Sequence, residues 1–188
     1  MSAGTVTQVT TGKRGIDGGI YVAPSGTSLP TTATETLNSA FKNIGYISED
    51  GITNNNAPDT EKLKAWGGQT VLVLTNEKTD EWTMTMIESM NKEVLKIVYG
   101  DDNVTENGSG MITVKATAEQ LDDASYVIDM VMKGGALKRV VIPNGSLSDL
   151  GEITYKDNEA VGYEITINAL PDSYGVSHYE YIMPTSST

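Results

Sequence analysis

The 188-residue chain contains no cysteine, one histidine and one phenylalanine. Without cysteine there is no disulfide, no thiol nucleophile and no cysteine-ligated metal, a composition that fits a reducing compartment. A lone histidine, His178, leaves a histidine-based triad or zinc site almost nothing to be built from. No 18 consecutive apolar residues occur, so no helical membrane span is expected. The first ten residues, MSAGTVTQVT, carry no apolar core, so no signal peptide is expected either. Gly12-Lys13 lacks the glycine five places earlier that a phosphate-binding loop requires. Asp101, Asn103 and Thr105 begin like a calcium loop, but Glu106 stands where glycine is needed, so the stretch reads as a turn. Carboxylates are plentiful, yet no spacing marks a glycosidase pair. No catalytic set, metal or cofactor is therefore expected.

Basic residues are also scarce. The 13 lysines and arginines face 25 acids, for a net charge of −12. Residues 101–129 hold seven acids and one lysine, and residues 149–180 hold the same, so the two stretches account for the whole excess. Such a surface repels phosphate, which argues against DNA binding but not against DNA passing by.

What is present is mostly strand pattern. Residues 19–24 and 40–47 read as short strands, 70–75 as a buried strand, and Trp82, Thr83, Met84, Thr85, Met86 alternate as a half-buried strand does. Residues 76–80 then form the turn between them. Met90, Val94, Leu95, Ile97 and Val98 share one helical face, with Gly100 at the C-cap. Further strands are expected at 111–116, 126–132, 137–142, 153–156 and 161–169, with Asn107-Gly108 and Asn144-Gly145 as turns. A single helical turn is expected near 117–123. The sum is a mainly β fold, a sandwich or barrel flanked by one α-helix, in a single domain spanning 1–188.

Three segments fall outside that body: an N-terminal arm (1–15), a long polar loop (52–69) and a C-terminal arm (170–188). The loop is too long and polar to order itself by burial, so a partner is expected to order it. Asn54, Asn55, Asn56 and Trp66 are its candidate contacts, Trp66 because large aromatics anchor interfaces. On the last strand Glu164, Thr166 and Asn168 share one face and Tyr163, Ile165 and Ile167 the other. With Glu152 and Thr154, placed on the preceding strand, they are candidates for an acidic wall.

NIGYISEDG at 43–51, AWGGQ at 65–69, Glu88 before a helix ending in Tyr99-Gly100, and GGIYVAPSGTSLP at 18–30 together resemble the major tail protein, the tail-tube subunit, of long-tailed, non-contractile phages. The likeness covers most of the chain in the same order. It implies a virion protein made in the bacterial host cytoplasm, whose hexameric rings stack into a tube. Double-stranded DNA would cross that tube without being bound. Tape measure and tail-terminator proteins are further implied partners, and the candidate wall residues would face the lumen. Some relatives carry an additional C-terminal immunoglobulin-like domain, which is not expected here. The alternative class is a non-enzymatic binding module, such as a phage or host-surface adhesin, which would stay monomeric.

Overall fold

The computed structural model describes residues 11–14 and 19–185. It is mainly β: β1 (Gly12–Arg14), β2 (Ile20–Pro24), β3 (Lys42–Asn43), β4 (Ile47–Lys64), β5 (Thr70–Met86), β6 (Val104–Glu106), β7 (Ile112–Val114), β8 (Ala124–Met132), β9 (Leu137–Leu150), β10 (Tyr163–Leu170) and β11 (Tyr179–Met183), with the helix α1 (Lys92–Tyr99) after β5. One antiparallel sheet runs β3-β2-β8-β9-β10-β5-β4, and β1 and β11 extend it beside β8 and β9. Its path ends at β3 and β4, so the barrel is open. β6 and β7 form a separate hairpin, in which the Asn107 side chain accepts from the amides of Ser109 and Met111 at 3.1 and 3.0 Å.

The core follows from the pleat. Met84, Met86, Ile165, Ile167, Val140, Ile142, Tyr126 and Ile128 face one way and are covered by Val94, Leu95 and Val98 of α1. Val127 and Val141 face the other way, with Ala23 and Phe41. A strand covered on both faces reads as a continuous apolar run, which is why β8 shows little alternation. The helix starts two residues later than its apolar pattern predicts, because Asn91 caps it by accepting from the Glu93 amide at 3.0 Å. Met90 is thereby outside the helix and exposed. Leu95→Ala should cost about 2–5 kcal/mol by leaving a cavity under the sheet, read as a lower denaturation midpoint.

Several expected turns are strands. Residues 76–80 do not turn: β5 runs unbroken from Thr70 to Met86. Residues 52–69 are not an unpaired loop. They are the greater part of a hairpin in which β4 pairs with β5 from Ile47↔Met86 to Lys64↔Thr70, closed by 65–69. The apolar pattern fails there because neither face of a two-stranded ribbon is buried, so nothing forces alternation. Asn144-Gly145 likewise lies inside β9. Pro143 sits where the β8–β9 register shifts, a bulge that tolerates a residue without an amide proton. Gly145 is required by packing: a Cβ there would lie 2.7 Å from Ile167 and from the Tyr126 ring.

The expected strand at 153–156 and helical turn at 117–123 are absent, both stretches being irregular. The C-terminal segment is not a free arm, since β11 pairs with β9 from Tyr179↔Val141 to Met183↔Leu137. Of the N-terminal arm, residues 12–14 pair with β8, while 1–10 and 15 lie outside the described residues.

Candidate functional site

Two surfaces use the residues singled out in the sequence. The first is the β4–β5 ribbon. β10 pairs with β5 only as far as Glu81. Thr70 to Asp80 therefore continue past the sheet, a projection on the order of 30 Å at about 3.3 Å per residue. Its base is braced within the chain. The Asn54 amide donates to Asp80 Oδ1 at 2.8 Å and to the Glu81 carbonyl at 3.2 Å, and the Asn55 amide donates to Glu81 Oε2 at 3.3 Å. Asp80 is buried and its other oxygen meets His178 Nδ1, whose ring stands edge-on to Trp82 at 5.2 Å. The ribbon's root is thus pinned to the segment that leads into β11.

Past that root the ribbon is bare. Leu63, Val71, Leu72, Val73 and Leu74 are about half exposed, and Trp66 at the tip is completely so. Of the 70–75 segment, expected to be buried, residues 70–74 are exposed, on both faces. An isolated two-stranded ribbon is marginal in water, and an apolar run on both faces invites covering. Asn56 is also exposed, but Asn54 and Asn55 spend their amides inside the chain.

The second surface is the polar side of the sheet. Glu164, Thr166 and Asn168 pair with Thr85, Thr83 and Glu81 of β5, the last two of which pair in turn with Thr53 and Asn55 of β4. On the other flank Thr166 and Asn168 pair with Asp149 and Ser146 of β9. Directly opposed residues share a face, so one continuous patch of hydroxyls, amides and carboxylates crosses four strands. Thr83 and Thr166 join it with a hydroxyl–hydroxyl bond of 3.1 Å. Glu81, Asp149 and Glu164 charge it, and none of these positions is basic. Glu152 and Thr154 are not part of this register: they follow β9 as irregular chain, with Gly151 bonded to the Glu164 carbonyl at 2.8 Å. Behind the patch the same strands bury Tyr163, Ile165 and Ile167, as the alternation predicts. Burial, with Tyr99 close by, raises the Tyr163 hydroxyl pKa.

Glu88 accepts from the Tyr46 amide at 2.9 Å and from the Asn91 side chain at 3.0 Å, tying the 43–51 segment to the start of α1. Gly45 makes room for it: its φ is 77°, and a Cβ there would overlap the Glu88 carboxylate.

The chain is thus a mainly β body that carries a long, braced ribbon with bare apolar faces. The chain belongs to the phage tail tube protein family, whose model matches residues 10–188. Similar solved structures include the sheath–tube complex of an extracellular contractile injection system in its extended state, at 10% identity over 89% of this chain and 90% of that chain, with a TM-score of 0.42. Another is the tube-terminating cap of the anti-feeding prophage, at 10% identity, the same coverages and a TM-score of 0.43. No curated protein sequence matches.

Proposed function

We propose that this chain builds the tail tube by assembling with copies of itself into hexameric rings that stack around a channel for DNA. The observation that carries this reading is the β4–β5 ribbon, which leaves the sheet with apolar residues on both faces and nothing of its own chain over them among the described residues. Neighbouring copies would supply the cover. The subunit would be made in the host cytoplasm, and tape measure and tail-terminator proteins would meet the tube's interior and end. Negative-stain microscopy of concentrated protein tests it: rings or tubes are expected, and a monomer at every concentration, as an adhesin would give, would sink it.

The four-strand polar patch is the part we assign to the lumen. Its carboxylates would repel passing phosphates and its hydroxyls offer no fixed cation to hold them. Asp149→Lys together with Glu164→Lys should leave assembly intact, because both residues are exposed. Virions carrying the change should eject DNA more slowly, and the delay should shrink as salt screens the added charge. Unchanged ejection at low salt would put the patch on the outside of the tube.

A further inference from the structure

The protein has a cleft of about 640 Å3 between α1 and the 119–124 segment. Its rim is acidic, with Glu93, Asp102, Glu119, Asp122 and Asp123. Two lysines also line it, but Lys96 is paired with Asp101 at 2.5 Å, a contact that raises the lysine's pKa, which leaves Lys42 to face the five carboxylates. The lining is also apolar in part, through Val22, Ala40, Ile97 and Leu121. The Asp123 charge reaches Tyr126 beneath it, where burial and then that carboxylate push the phenol pKa well up.

The ribbon tip has the opposite character. In this acidic chain, residues 62–74 contain Lys62 and Lys64 and no acid, with Leu63 and Trp66 exposed beside them. We propose that the tip of one copy, residues 62–66, docks in the cleft of a second copy, with Lys62 and Lys64 against the rim carboxylates and Trp66 over the apolar lining. An aromatic anchor ringed by charge pairs is how compact interfaces concentrate their energy. A tryptophan brings about 150–250 Å2 of surface to be covered. The two partners are also different surfaces of the chain: the cleft takes residues from β2, β3, β8, β9 and α1, while the tip extends from β4 and β5. Such a contact is head-to-tail, the kind that closes a ring or continues a stack.

The proposal rests on the self-assembly reading but is tested apart from it. Because the chain has no cysteine, Lys64→Cys and Asp122→Cys can be made singly, mixed and treated with a short bismaleimide. A crosslinked dimer is expected from the mixture, and none from either variant alone or from Lys64→Cys mixed with Tyr174→Cys, which places its thiol on another exposed site. In parallel, Lys62→Glu/Lys64→Glu and Asp122→Lys/Asp123→Lys should each cut tube yield by about tenfold or more at low salt, and mixing the two proteins should restore contacts between them. Trp66→Ala should suppress the crosslink without lowering the monomer's melting temperature. Tubes that form without the crosslink, and that survive the Asp122/Asp123 reversal, would overturn this docking and leave self-assembly standing. A crosslink without tubes would keep the docking and overturn the tube.

Discussion

Removing residues 58–78 and joining Ala57 to Thr79 through Asn-Gly should abolish tube formation while the body folds as before. Ala57 and Thr79 are directly paired, and Asn-Gly is suited to a two-residue hairpin between such positions. The cut lies outside the brace formed by Asn54, Asp80 and His178, so the root stays pinned. Among the described side chains no core residue is lost, because Leu63, Trp66 and 71–74 are all exposed. Circular dichroism and the thermal midpoint should therefore stay close to those of the parent, with sedimentation showing only small species. Tubes assembling at the parent's concentration would mean that the ribbon is not what joins the copies.

Arg139→Met should strongly destabilise the fold itself. Arg139 on β9 lies opposite Asp129 on β8 and grips it with two bonds, Nε to Oδ1 at 2.6 Å and Nη2 to Oδ2 at 2.8 Å. Its remaining donor, Nη1, reaches the carbonyls of Thr32 at 3.1 Å and Glu35 at 2.7 Å, so one guanidinium fastens the 31–35 connection to the sheet. Thr31 completes that connection by donating to the Glu35 carboxylate through its amide at 2.7 Å, which lowers the carboxyl pKa. The arginine side chain is 6% exposed and the aspartate 26%. Removing one member of a buried pair strands the other charge, and with Asp129 partly wet the cost should be near 3 kcal/mol. In a chain of this size that is a fall of about 6–12 °C in Tm. Asp129→Leu added to Arg139→Met should recover part of the loss, since no charge is then stranded. A midpoint unchanged by Arg139→Met alone would show the pair to be dispensable.

Much of the body was legible in the chain. The alternation of 82–86 and 163–169 marks one wet and one buried face, and the helical spacing of Val94, Leu95 and Val98 marks the cover over the core. These patterns are readable because burial on a single face forces a period. Where burial does not act on one face, the reading broke down. Asn76–Asp80 and Asn144-Gly145 carry turn-like composition, yet the first lies in an open ribbon and the second in a bulge beneath Tyr126. The run Val71-Leu72-Val73-Leu74 has apolar residues on both faces, a pattern shared by a strand deep in a core and one left bare for other copies. Sequence order puts Glu152 and Thr154 on a strand beside Glu164, but the polar patch takes its neighbours from β5 and β9 across the sheet.

By itself, then, the sequence determined the mainly β class, the faces of β10 and of the end of β5, the helix and its contacts, the absence of any cysteine chemistry and an excess of acid. Those properties depend on composition and on neighbours a few residues apart. Tertiary structure alone decided that the long polar segment is a ribbon, that Asp80 and His178 meet across 98 residues of chain, and that the acidic 119–124 segment forms a cleft with α1. Strand pairing brings such residues together through main-chain hydrogen bonds, which every residue but proline can make, and so leaves no local trace in the side chains.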